Sequence, residues 1–217
     1  PIPSGRIPGR WGLYIAIIWT VLSLAVALAL GPVVFWAAVF GMAMAWAYSA
    51  PPFRFKGNGW WGNTAVGLCY EGLPWFTGAA VLLAAVPGWP IIALALLYSA
   101  GAHGIMTLND FKAIEGDKRM GVLSLPVQLG AERAGLVACI FMALPQLVVI
   151  GLLFAWDAPW HSAAVALSLL TQLGLMRRML RDPRALAPWY NGTGVLLYVI
   201  GMLISALALA NLTGGSA

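Results

Sequence analysis

Seven apolar runs occupy most of the chain, at 11–30, 33–50, 63–86, 90–108, 131–155, 161–176 and 190–210. They constrain the fold more tightly than any other feature. A helix rises 1.5 Å per residue, so about 20 apolar residues cross a hydrocarbon core of about 30 Å. The runs lack a polar face, which excludes amphipathic helices lying on a membrane. They also lack the strict alternation of barrel strands. Composition agrees, with 61% of residues hydrophobic and 9% charged, against about 25% charged in soluble domains. The chain reads as all-α, a single polytopic transmembrane helical bundle over 1–217. The run 161–176 is the weakest, being short and carrying Ser168, Thr171 and Gln172. Pro74 and Pro145 fall inside spans, where neighbouring helices absorb a kink. Gly41, Gly67, Gly72, Gly78, Gly194 and Gly201 fit close helix packing.

Charge sets the orientation. Threading seven spans puts all 12 Lys and Arg on one side, and an excess of positive charge marks the cytoplasmic face. The N-terminus is then inside and the C-terminus outside. The net charge of +5 belongs to membrane loops, so it does not indicate nucleic acid, which needs a basic patch beside a soluble core. Cys69 and Cys139 both sit in apolar stretches and offer neither a disulfide framework nor a paired-cysteine metal site. No signal peptide is read in the opening Pro1-Ile2-Pro3-Ser4-Gly5. A processed chain, or the downstream part of a longer one, is expected.

The polar residues are concentrated in two cytoplasmic stretches, 49–63 and 109–130, while the opposite connections are short. Long loops on one face of a bundle imply a site opening there. The segment from Asn109-Asp110 to Asp117 holds three of the seven acidic residues, Asp110, Glu115 and Asp117. These acids either neutralise neighbouring Lys and Arg in a solvated loop or hold Mg²⁺ alongside substrate phosphates; the residue pattern leaves both open. If the helix continues, Asp110 and Asp117 share a face about 10 Å apart, suited to two ions across a diphosphate. A bend at Gly116 would instead bring them together, and Glu115 points elsewhere.

In the other stretch, Pro51-Pro52 ends a helix, and Arg54 and Lys56 alternate with Phe53 and Phe55. That alternation suggests two cations facing a phosphate and two aromatics facing lipid. Trp60 and Trp61 read as an interfacial anchor. Glu71 and His103 lie inside spans, where ionisable groups normally face a cavity or a partner. Glu71 suits a site wall, a proton acceptor or a buried pair, and His103 suits an interhelical hydrogen bond ahead of a metal ligand.

Together, Tyr48-Ser49-Ala50-Pro51-Pro52-Phe53-Arg54-Phe55-Lys56, Asn58-Gly59-Trp60-Trp61-Gly62-Asn63, Cys69-Tyr70-Glu71-Gly72-Leu73-Pro74-Trp75, Asn109-Asp110-Phe111-Lys112 through Asp117, and Ser124-Leu125-Pro126-Val127 resemble the UbiA-type intramembrane prenyltransferases, and most closely their pigment-esterifying branch. The resemblance implies a nine-helix fold and a Mg²⁺-dependent enzyme of the bacterial cytoplasmic or intracytoplasmic photosynthetic membrane. Its reaction would move a geranylgeranyl or phytyl group from the diphosphate to the propionate of bacteriochlorophyllide. It implies metal ligation by Asp110, Asp117 and Asn109, and charge neutralisation on pyrophosphate by Arg54, Lys56 and Lys112. Tyr48, Ser49, Tyr70 and Arg119 would contact substrate, with Glu71 and His103 on the pigment side. Pigment-biosynthesis or photosystem-assembly proteins are implied as partners.

The family carries two Asp-rich motifs, and only the second is found here. The first two helices and the first motif are therefore expected ahead of Pro1, and 1–217 alone is expected to be inactive. Where Ala113 stands many relatives carry a carboxylate, which places ligation on Asp110 and Asp117.

Other readings make different demands. Chlorophyllide would serve the same chemistry, and an aromatic quinone precursor would require a base such as Glu71. A proton-coupled transporter would use Glu71 and His103 but predicts internal repeats, of which none is convincing. A structural pigment-binding protein would leave the acids and the Arg54/Lys56 pair without a role.

Overall fold

A computed structural model describes residues 5–214. Pro1 to Ser4, part of the segment expected to follow a first acidic motif, lie outside the described residues, as do 215–217. The chain is helical almost throughout: α1 Gly9–Ala29, α2 Pro32–Ser49, α3 Gly59–Leu83, α4 Trp89–Asp110, α5 Ile114–Met120, α6 Leu125–Leu129, α7 Ala131–Ala155, α8 Pro159–Met179 and α9 Pro183–Gly214. Among the described residues, six of these helices are long and apolar enough to cross a membrane, as befits an integral membrane protein. The expected seventh span forms as α8, 21 residues long, but it is not apolar enough to count among the six. Ser162, Ser168 and Gln172 are turned inward and buried, while Thr171 is exposed and donates to the Leu167 carbonyl of its own helix.

Helix α4 is the axis of the bundle, packed against α3, α7 and α9, while α8 fills the space between α7 and α9. Lipid tails are as apolar as leucine, so small residues and hydrogen bonds rather than hydrophobicity join the helices. A Cβ on Gly67 would stand 2.5 Å from the Ser99 carbonyl oxygen, so α3 and α4 meet almost backbone to backbone; Gly104 stands equally close to the Ala138 carbonyl of α7. Gly78, expected at such a contact, faces open space. Gln146 and Gln172 donate to each other at 3.1 and 3.0 Å across α7 and α8. The Tyr198 hydroxyl donates to the Tyr98 carbonyl at 2.9 Å, and the Tyr98 hydroxyl lies 2.7 Å from Ser205 Oγ.

Two departures from the sequence reading shape the functional end. Helix α3 contains a π-helical turn at Leu68–Gly72 just before Pro74, which relieves the proline's clash with the preceding turn. Helix α9 begins at Pro183, seven residues before the apolar run, because Asp182 Oδ1 accepts from the Ala185 amide at 3.1 Å. Arg184 is therefore on a helix and donates to Glu115 at 2.7 Å.

Candidate active site

The two long connections converge. Gly59 N–H donates to the Leu123 carbonyl at 2.7 Å and Leu123 N–H to the Gly57 carbonyl at 3.0 Å, a parallel bridge between the 50–58 and 121–124 loops. Gln128 donates to the same Leu123 carbonyl. Gly59 permits the approach, since a Cβ there would stand 2.5 Å from Leu125 N. Asn58 starts α3 by accepting from the Trp60 amide at 2.9 Å. Between the stitched loops and the end of α4 lies a polar cavity of about 130 Å³.

Asp110 and Asp117 both line this cavity, with Lys56, Asn63 and Tyr48. The carboxylates come together by neither of the two routes considered from sequence. The helix does not continue, and Gly116 lies inside α5 rather than at a bend. The chain turns at Phe111–Ala113, anchored by Phe111 and Ile114, each 5% exposed. Asn63, buried on α3, donates to Asp110 Oδ2 and to Thr107 Oγ1, both at 3.2 Å. The Thr107 hydroxyl in turn donates to the His103 carbonyl at 2.9 Å. That network fixes the rotamer of Asp110. Asn63 had no assigned role in the sequence reading; the available signal was an amide inside an apolar run, which needs an internal partner.

Other anticipated residues stand elsewhere. Asn109 is turned toward α9, its Oδ1 accepting from Asn191 at 2.9 Å, and it does not line the cavity. One residue is 100° of helix, so Asn109 and Asp110 face different neighbours. Arg54 and Lys56 are separated because the strand-like alternation does not form. Arg54 is left-handed (φ 44°) and leads into a tight turn at Phe55–Gly57; Lys56 reaches the cavity and Arg54 does not. The aromatics do gather, Phe53 on Phe55 at 5.6 Å and Phe55 on Trp61 at 6.2 Å. Lys112 and Arg119 are exposed and do not line the cavity. Glu115 is taken by Arg184.

A second, apolar groove of about 600 Å³ runs between α2 and α3, with Met42, Met44, Cys69, Leu73 and Met106 on its walls. Ser49 and Tyr70 also line it, and Tyr48 borders both the groove and the polar cavity. Glu71, in the π-turn, is half-buried and borders neither. Among the described residues the His103 ring has no hydrogen bond of normal geometry, although the Trp60 backbone of α3 lies against it. It is stacked on Phe141 at 4.4 Å and covered by Trp60 at 5.8 Å, because apolar rings from α3 and α7 surround that face of α4.

Among the described residues, no three His, Cys, Asp or Glu side chains stand close enough to hold a metal by themselves. Two carboxylates on one polar cavity do fit Mg²⁺, which keeps several waters and completes its shell with substrate phosphates. The arrangement can therefore take a charged, metal-bound head group in the cavity and a long apolar chain in the groove.

The comparisons with known proteins point the same way. Residues 1–192 match the model of the UbiA prenyltransferase family. The bacteriochlorophyll synthase 33 kDa chain of Cereibacter sphaeroides is 61% identical over 212 residues, covering 98% of this chain and 70% of that protein. The chloroplastic chlorophyll synthase of Oryza sativa subsp. japonica is 36% identical over 220 residues, covering 96% of this chain and 57% of that protein. A solved structure of digeranylgeranylglyceryl phosphate synthase in membranes shares the fold, with a TM-score of 0.74 at 21% identity over 96% of this chain and 72% of that one. The chain belongs to the UbiA prenyltransferase family.

Proposed function

We propose that the protein transfers a geranylgeranyl or phytyl group from its diphosphate to the propionate carboxylate of bacteriochlorophyllide. The observation that carries this reading is the shared wall at Tyr48, which lines both a polar cavity bearing Asp110, Asp117 and Lys56 and an apolar groove of about 600 Å³. A prenyl diphosphate has that shape and polarity. The names of the similar bacterial proteins supply the acceptor.

Asp110 and Asp117 are the residues that would hold Mg²⁺, which when bound offsets charge building on the departing pyrophosphate. Asn63 keeps Asp110 oriented toward the cavity. Lys56 adds a cation to the same wall, where preorganised charge favours the loosened state over the ground state. The groove seats the prenyl chain and excludes water from the allylic carbon. The allylic C–O bond breaks, the pyrophosphate leaves with the bonding pair, and a propionate oxygen forms the ester bond. A carboxylate is already ionised near neutral pH, so no strong base is required. That suits a cavity whose acids are given to metal. The proposed setting is a bacterial cytoplasmic or photosynthetic membrane with the cavity on the cytoplasmic side.

The test is a mass-spectrometric assay of membranes carrying the protein, expressed with any residues its gene encodes upstream of Pro1. Bacteriochlorophyllide, chlorophyllide and an aromatic quinone precursor are each offered with geranylgeranyl or phytyl diphosphate, with and without Mg²⁺. Magnesium-dependent esterification of bacteriochlorophyllide supports the proposal. Prenylation of the quinone ring alone, or no product from any pair, overturns it. A parallel arm with 1–217 alone, expected to give no ester, tests whether one acidic motif suffices.

A further inference from the structure

Ser124 is 4% exposed and lines the polar cavity, yet its Oγ has no hydrogen-bond partner among the described residues. A buried hydroxyl without a partner is costly. A serine at a helix start normally spends its oxygen on an amide of the first turn. Here that use is closed. The second residue of α6 is Pro126, which has no N–H. The amides of Val127 and Gln128 go to the Ser124 carbonyl instead, at 3.0 and 2.9 Å. Nor is the position adjustable, because the Gly57–Leu123 and Leu123–Gly59 bonds pin the loop against α3 one residue earlier. Ser124 is thus fixed in the wall of the cavity that carries Lys56, Asp110 and Asp117, its hydroxyl without a hydrogen-bond partner among the described residues.

We propose that Ser124 is a diphosphate-binding residue, its hydroxyl donating to a non-bridging phosphate oxygen in the cavity. The inference rests on the reading of the cavity as a diphosphate site and adds a specific contact to it. Phosphate oxygens accept strongly from neutral hydroxyls, and such a bond to a charged group is among the stronger ones. Because the contact is to the diphosphate and not to the acceptor, it predicts a split between the two substrates.

The experiment compares Ser124→Ala and Ser124→Thr with the parent protein in membranes. Three quantities are read: KM for geranylgeranyl diphosphate, KM for bacteriochlorophyllide, and thermal protection by inorganic pyrophosphate with Mg²⁺, which needs no turnover. Ser124→Ala is expected to raise the first KM and the pyrophosphate concentration for half-protection roughly tenfold, leaving the pigment KM unchanged. Ser124→Thr, which keeps the hydroxyl, is expected to restore both. Unchanged pyrophosphate protection in Ser124→Ala overturns the inference. So does a uniform loss that Ser124→Thr fails to rescue, which marks a purely structural serine. Asp110→Ala separates the two levels. If it abolishes protection while Ser124→Ala does not, only the serine contact fails. If neither variant changes protection, the diphosphate reading of the cavity fails as well.

Discussion

Helices α1 and α4 are both apolar, of 21 and 22 residues, and α1 is the more apolar of the two. Yet 6% of the most apolar stretch of α1 is buried against 61% for α4. Helix α1 packs mainly on α2, and Trp19 and Leu28 stand 63% and 62% exposed. Helix α4 carries Ser99, Gly101, Ala102, His103, Gly104 and Thr107, all buried. Among the described residues, which span about 70% of the length of the Cereibacter sphaeroides relative, part of this inversion follows from the solvent. In a bilayer a leucine gains little by leaving lipid for protein, whereas small residues allow close backbones and polar ones require a partner. On α4 the buried face combines these small and polar residues with Leu94, Tyr98 and Leu108, and the site grows from its end.

The comparison predicts a gradient of effects, the largest at the end of α4. Asp110→Ala and Asp117→Ala are expected to cut turnover roughly a hundred- to a thousandfold, with membrane insertion unchanged. Near-normal rates in both would break the link between the buried helix and the chemistry. Lys56→Ala is expected to lower kcat/KM roughly ten- to a hundredfold, while Arg54→Ala stays near the parent. Equal losses in the two would restore the paired clamp that the turn at Phe55–Gly57 breaks. Gly67→Val drives a side chain against the Ser99 carbonyl and is expected to cost about 1–3 kcal/mol, read as lowered thermal stability in detergent. Gln172→Leu strands Gln146 and is expected to cost about 1 kcal/mol. Leu28→Ala on α1 is expected to lie within about 0.5 kcal/mol of the parent. A loss on α1 as large as that of Gly67→Val would mean that Leu28 is packed against protein rather than exposed.

Much of the fold was legible because membrane helices announce themselves locally. Six of the seven apolar runs became helices of the required length and apolarity, and the seventh became α8, whose inward Gln172 explains its weak signal. That Asp110, Asp117 and Lys56 would stand near one another was legible, and they line one cavity. Arg54 was not, since alternation in sequence implies a common face only if the backbone is extended, and here it turns. Asn109 was drawn in by adjacency, although its helix face looks toward Asn191. Asn63 and Ser124 went unassigned because their significance lies in a partner, or the lack of one, far away in sequence. The stacking of His103 on Phe141, a contact made across two helices, had no signal in the sequence.

Run length, apolarity and the clustering of charge fixed a polytopic helical bundle with its polar chemistry at one end. Each of these properties is set by residues close together in the chain. The cavity itself required the tertiary structure. It depends on a backbone bridge from Gly57 and Gly59 to Leu123, a turn anchored by Phe111 and Ile114, and an amide on α3 that reaches a carboxylate on α4. The bridge and the amide contact join residues tens of positions apart, and no local pattern encodes such distances.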